Sequence, residues 1–166
     1  MKVIAVTGTP GTGKTTLSKK LSNKLDFYYL DVNKVIFKYK LSEGYDRKRR
    51  TKIVDIKKLN KKLIEEINKI KNNKKIKGVI IDSHLSHYLP RKYVDVCIVT
   101  CCSLKVLKKR LEERGYSAAK IRENLDAEIF RNCLVEAQGQ RHRVIEVDTT
   151  HGFKRALLQK VRLWIS

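Results

Sequence analysis

Between an apolar run, KVIAV, and a segment carrying Leu17, Leu21 and Leu25 at helical spacing lies TGTPGTGKTT, residues 7–16. Gly8, Gly13, Lys14 and Thr15 fill the fixed places of Gly-x-x-x-x-Gly-Lys-Ser/Thr, the Walker A pattern. The pattern works only in one setting, a buried strand that turns sharply into a helix. Glycines let the backbone curl until successive N–H groups converge on phosphate oxygens, and the helix that follows turns its positive end toward the same anion. Lys14 is expected to reach the β and γ phosphates of a nucleotide, and Thr15 to offer its hydroxyl to Mg²⁺. The flanking apolar and helical patterns are the context that the loop needs.

Further strand-like runs follow at intervals that alternate with helices. FYYLD (27–31), GVIID (78–82), YVDVCIVTC (93–101) and VIEVD (144–148) read as short buried strands. Helices are expected over 32–40, over 57–72 where Leu59, Leu63, Ile67 and Ile70 share one face, over the segment that Ser103 caps, over 118–138 behind Ser117, and at the C-terminus. EGYDRKRR (43–50) reads as a polar turn. This alternation predicts an α/β fold of five parallel strands with helices on both faces and ligands at the carboxyl ends of the strands. A length of 166 residues without linker, repeat or low-complexity tract makes one domain, residues 1–166, the expectation.

GVIID ends in Asp82, the place of a Walker B carboxylate that holds Mg²⁺. His84 stands two residues on, spaced to orient water or an acceptor beside it. Arg110 and Arg114 are four apart at a helix end, hence on one face, and Gly115 follows as a hinge with Lys120 and Arg122 beyond. Cations that close over a γ phosphate are a large source of rate in phosphoryl transfer, so this region reads as a lid. Asn23-Lys24-Leu25-Asp26 matches the guanine-reading tetrapeptide but follows the first helix rather than a late strand. It is read as a chance match, which leaves adenine as the expected base.

Charge excludes little and suggests one thing. Thirty-eight Lys and Arg against 17 Asp and Glu give a net +21, a field that attracts polyanions and makes rRNA contact an expectation. Cys97, Cys101, Cys102 and Cys133 contain no C-x-x-C pair and read as reduced core thiols. The N-terminal apolar run is too short for a signal segment and no run approaches a membrane span, so a soluble, cytoplasmic protein is expected.

Taken together, TGTPGTGKTT, GYD (44–46), VIIDSH (79–84) and ERGYSAAKIRENLDAEIF (113–130) resemble the adenylate kinase isoenzyme 6 family, also called the coilin-interacting nuclear ATPase, with its archaeal relatives. The resemblance runs from residue 3 to about 138. It implies a P-loop NTPase of the nucleoside monophosphate kinase type with strand order 2-3-1-4-5, an acceptor-nucleotide region around 31–54 and a short lid around 113–123. It implies ATP binding by Gly11, Gly13, Lys14, Thr15, Thr16 and Arg114, catalysis by Lys14, Asp82, His84 and Arg114, and Mg²⁺ held by Thr15 and Asp82. The activity implied is a broad-specificity nucleoside monophosphate kinase, ATP plus AMP to two ADP, together with ATPase activity. A part in maturation of small-subunit rRNA is implied as well, with a platform ribosomal protein as partner. The alternative is an assembly ATPase with little AMP kinase activity. Two departures from the family stand out: Phe37 flanked by Lys34 and Lys38 takes the place of an AMP-directed arginine, and GYDRKRR replaces an acidic run.

Overall fold

The computed structural model of the chain describes residues 1–47, 51–152 and 155–165. Five strands form one parallel sheet: β1 (Lys2–Gly8), β2 (Tyr28–Asp31), β5 (Gly78–Asp82), β6 (Val96–Cys101) and β7 (Val144–Asp148). Their spatial order is β2-β5-β1-β6-β7. Numbered among themselves these strands run 2-3-1-4-5, the expected order, and the chain reverses direction across the sheet between β5 and β6 on either side of β1. That crossover opens a crevice at the carboxyl end of β1, where the phosphate loop begins.

The strands are apolar on both faces because helices cover both. On one face Val3, Ala5, Val79, Ile81, Cys97 and Val99 meet α2 (Val32–Lys38), α3 (Ile56–Asn72) and α6 (Asn132–Gly139). On the other, Ile4, Val6, Ile80, Ile98 and Val147 meet Leu17 and Leu21 of α1 (Lys14–Leu25) and Leu157 and Val161 of α7 (Arg155–Ile165). Alternate residues of β1 thus serve separate clusters, as strand geometry requires. A third small cluster, Cys102, Leu107, Leu111 and Ile121, joins α4 (Leu104–Glu113) to α5 (Ala118–Ile129).

Two elements differ from the sequence reading. The polar stretch expected to be a turn contributes β3 (Ser42–Asp46), which pairs antiparallel with β4 (Thr51–Val54) in a separate hairpin. Lys48, Arg49 and Arg50 of the basic run lie outside the described residues. The helix expected over 118–138 is two helices, because Arg131 adopts a left-handed conformation at φ 54° and starts α6 in a new direction. That break lets α6 lie against the sheet, with Ala137 fully buried. Among the described residues no helix is long and apolar enough to cross a membrane.

Candidate active site

The loop between β1 and α1 is fixed by backbone geometry first. Gly8, at φ 142°, lies so close to β6 that a Cβ would stand 2.4 Å from the Thr100 carbonyl oxygen. Gly13, at φ 88°, is the N-cap of α1 and has no side chain to satisfy the first-turn amides, which stay available to an anion. Around the loop, side chains from three other segments hold it in place. Thr12 Oγ1 donates to the Thr9 carbonyl at 2.7 Å and meets Thr100 Oγ1 at 2.7 Å. Thr149 Oγ1, just past β7, donates to the Thr12 carbonyl at 2.7 Å. Arg110 of α4 donates to the carbonyls of Gly11 at 3.3 Å and Thr149 at 3.1 Å.

Arg110 therefore anchors the loop, and of the arginine pair expected to form a lid only Arg114 lines the cleft described below. The physical reason is position along α4. Arg110 is inside the helix and faces the loop's outer wall, whereas Arg114 is the C-cap, immediately before Gly115 at φ 69°.

Above the loop lies a cleft of about 320 Å³ lined by Gly11, Gly13, Lys14, Thr15, Thr16, Asp82, His84 and Arg114, with Asn33, Tyr116 and Lys120 at its margins. The residues expected to bind ATP, hold Mg²⁺ or act in catalysis are all on this surface, whereas Arg110 and Arg122 of the expected lid are not. Lys14 bridges its own loop, donating to the carbonyls of Gly8 at 2.8 Å and Thr9 at 3.0 Å. Burial of its ammonium, only partly offset by Asp82 and other anionic neighbours, pulls its pKa from 10.5 down to about 8. Asp82 ends β5 with 4% of its surface exposed. Its Oδ2 accepts a hydrogen bond from the Tyr29 hydroxyl at 2.7 Å.

Tyr29 is the residue that sequence reasoning missed. It lies on β2, which pairs with β5 in the register Asp31 to Asp82, so its ring reaches the carboxylate from the neighbouring strand. Burial first, then the Asp82 hydrogen bond, push its phenol well above the ordinary range, so it stays a donor. Thr149 was also missed, though the carboxyl end of a parallel strand is where such a residue should be sought.

His84 is not in extended chain as its spacing suggested; it sits in the turn after β5, yet reaches the same cleft as Asp82. Its ring opens to solvent on the cleft side. Packing around it, then the positive charges of Lys14 and Lys120, hold its pKa down to about 4, so the imidazole is neutral at physiological pH.

The donor set of the cleft suits a hard cation. Thr15 and Asp82 supply oxygens and no thiolate lines the surface, a pairing that selects Mg²⁺ over softer metals.

Comparison with known proteins agrees with this geometry. A family model described as an AAA domain matches residues 4–131. A protein of Methanocaldococcus jannaschii named "Putative adenylate kinase" is 42% identical over 148 residues, covering 89% of this chain and 77% of that protein. An "Adenylate kinase isoenzyme 6 homolog" of Caenorhabditis elegans is 34% identical over 135 residues, covering 81% of this chain and 71% of that one. The chain belongs to the adenylate kinase isoenzyme 6 family. Among solved structures, shikimate kinase from Acinetobacter baumannii superimposes with a TM-score of 0.61 at 15% identity over 99% of this chain and 93% of that one. At that identity the match speaks for the P-loop kinase fold alone.

Proposed function

We propose that this family member is a nucleoside monophosphate kinase that transfers the γ-phosphoryl group of ATP to AMP. The observation that carries the reading is the single cleft in which Lys14, Thr15, Asp82, His84 and Arg114, drawn from three separate segments, face one volume. Lys14 leaves its two loop carbonyls for the β and γ phosphates, whose charge restores the full basicity that burial removes. Glycine-loop amides, together with Gly11, Gly13 and Thr16, cradle the same phosphates. Thr15 and Asp82 would hold Mg²⁺, which supplies charge neutralisation across the β and γ oxygens. Tyr29 aims the Asp82 carboxylate by donating to its Oδ2, which leaves the other oxygen for the ion.

In the transfer itself the bond between the γ phosphorus and the β,γ-bridging oxygen breaks as one forms to an α-phosphate oxygen of AMP. Two ADP result. Neutral His84 orients the attacking group, and Arg114 stabilises charge on the transferring group. Residues 113–123, pivoting at Gly115, act as the lid that keeps water out, and the hairpin within 31–54 borders the acceptor side. The whole chain acts as one domain.

A second reading is favoured by what α2 offers the acceptor. Its exposed residues include Lys34 and Phe37, the latter 80% exposed, and Lys38 is committed to Glu66 at 3.2 Å; α2 holds no arginine to fork around an AMP phosphate. With a weak acceptor site, water takes the phosphoryl group and the protein is an ATPase. Nucleotide state would then govern contact with small-subunit rRNA and a platform ribosomal protein during 16S-type rRNA maturation, a role to which the net +21 lends support.

³¹P NMR of ATP and Mg²⁺ with the protein, with and without AMP, tests the first reading. ADP appearing without free phosphate, and only when AMP is present, is the expected result. ADP with equivalent free phosphate regardless of AMP would refute transfer and establish hydrolysis.

A further inference from the structure

None of His87, Cys133 and Glu136 lines the nucleotide cleft, yet these three side chains converge beside it. His87 lies in the 3-10 turn Ser86–Tyr88, three residues beyond His84, and is 1% exposed. Its Nδ1 is 2.7 Å from Thr7 Oγ1 at the end of β1. Its Nε2 is 3.0 Å from Glu136 Oε2 on α6. Cys133, one turn earlier on α6, completes the group, and the ligand atoms of all three residues lie within 4.8 Å of one another. The ring of Tyr88 lies tilted at 47° against the imidazole with centroids 4.2 Å apart, and His142 Nε2–H donates to the His87 carbonyl at 2.8 Å, which holds the turn from outside.

Proton positions in this cluster do not balance. Thr7 has one hydroxyl proton and donates it to the His84 carbonyl at 3.2 Å. The 2.7 Å contact then requires His87 Nδ1–H as donor, which leaves Nε2 as a bare lone pair facing a carboxylate oxygen. The other tautomer does no better. A proton on Nε2 has no acceptor in line, because Glu136 Oε2 lies close but away from the N–H direction. A doubly protonated ring would attract Glu136, but burial and the neighbouring His142 lower the His87 pKa to about 4, so that proton is absent at neutral pH. Two acceptors within 3.0 Å of each other, with a sulfur alongside, are what a cation would reconcile.

We propose that His87 Nε2, Cys133 Sγ and Glu136 form a binding site for a divalent transition metal of the zinc class, with water in the fourth position. The ligand set of one imidazole, one sulfur and one carboxylate suits Zn²⁺ or Co²⁺ and not Mg²⁺. Thr7 fulfils the second-shell role, fixing the ring by its other nitrogen as metal-bound histidines require. Glu136, whose side chain is 42% exposed, gives the ion a route from solvent. As the metal–sulfur bond forms, Cys133 releases its thiol proton to solvent; burial raises that thiol's pKa and the Lys14 ammonium pulls it back. Bonds of about 2.0–2.3 Å to one ion require the three ligand atoms to approach one another from their present spread of up to 4.8 Å. Occupancy would tie the end of β1, the turn that carries His84 and α6 into one unit.

Titration of the nucleotide-free protein with Co²⁺ tests the proposal, since nucleotide would chelate the ion. One equivalent should produce a thiolate-to-cobalt charge-transfer band, release one proton, and be displaced by Zn²⁺. Cys133→Ser should abolish the band, Glu136→Gln should weaken binding by at least about tenfold, and Thr7→Val by roughly 10–100-fold. Glu136 is half-exposed, so its variant keeps the test open should a His87 variant fail to fold. No band at stoichiometric Co²⁺ would overturn the proposal. So would a band that survives Cys133→Ser, which would place the sulfur at Cys101 or Cys102.

Discussion

Replacing Lys14 with Met should do two opposite things to this protein. Its amine sits in a partly buried loop with a pKa moved from 10.5 to about 8. At 1.36 kcal/mol per pKa unit that shift corresponds to roughly 3 kcal/mol carried by the folded state while the amine is charged. Some of it is recovered through the bonds to Gly8 and Thr9, which Met cannot make, so the variant should be more stable than wild type by about 1–3 kcal/mol at pH 7. For a chain of this size that is a rise in Tm of several degrees, at roughly 2–4 °C per kcal/mol. Below about pH 8 both folded and unfolded forms hold the proton and the penalty is constant. Between about 8 and 10.5 the unfolded form alone retains it, so wild-type stability should rise with pH and the advantage of Lys14→Met should vanish. Turnover should meanwhile fall by far more than tenfold, because the lost charge stabilises the transferring phosphoryl group. Thermal melts of the nucleotide-free proteins across pH 7–10.5, with turnover measured in parallel, check both halves. A variant no more stable than wild type at pH 7, or a gap that does not close with pH, would refute the burial argument. Turnover within tenfold of wild type would remove the loop from the chemistry.

His84→Ala should lower turnover by roughly 10²-fold while leaving the ATP dissociation constant nearly unchanged, since a neutral imidazole orients a group and does not grip phosphate; a weakened ATP Kd with full turnover would contradict this. Glu66 accepts hydrogen bonds from Tyr39 and from Lys69 and Lys38 at 3.0 and 3.2 Å, which together lower its pKa to about 2. Glu66→Gln should therefore destabilise the α2–α3 contact by roughly 1.5–3 kcal/mol in urea titrations at pH 7. The depressed carboxyl contributes stability above its unfolded pKa of 4.5 and loses it as pH falls toward 2, so the two proteins should converge over that window. Neutralising Arg47, Lys48, Arg49 and Arg50 together should lower affinity for small-subunit rRNA and reduce the salt slope by about 3, with RNA-free ATP turnover preserved. Filter binding over a range of KCl decides it, and an unchanged slope would leave the basic run without a role in RNA contact.

The phosphate loop and the five parallel strands were legible in the sequence because both signals are local. Glycine spacing dictates the loop and alternation of apolar runs with helical periodicity dictates a parallel sheet, whereas the order of its strands, a matter of long-range pairing, came only from the family resemblance. The hairpin of β3 and β4 was illegible because its apolar residues do not share a buried face: Tyr45 and Ile53 are 57% and 52% exposed while Val54 packs against the core, so no apolar alternation marks it. Neither glycine nor proline announces the break between α5 and α6, where Arg131 takes the left-handed conformation by itself. Tyr29 was beyond reach for a different reason. Fifty-three residues separate it from Asp82, and only the pairing of β2 with β5 brings them together.

Arg110 and Arg114 show how far a same-face argument carries. Their spacing of four does place both on one side of α4, but a helix face is wider than a site, and the two guanidinium groups reach different targets. Arg110 joins Gly11 to Thr149 and so fastens the phosphate loop to the end of β7. Thr100 of β6 and Thr149 beyond β7 add bonds to Thr12, which leaves the loop little freedom to adjust. The turn that follows α4 is built differently. Gly115 has a positive φ and nothing within 4 Å of the position a Cβ would take, while its N–H bonds the Glu112 carbonyl at 2.8 Å and that of Tyr116 the Leu111 carbonyl at 3.2 Å. Tyr116 and Ile121 pack on Leu107 and Leu111, so closure of the proposed lid has to rework that small cluster, and a β-branched residue at 115 would be strained by backbone alone. In the proposed cycle the division of labour follows from this contrast: preorganised amides wait for the phosphates, and the cations arrive when the lid closes.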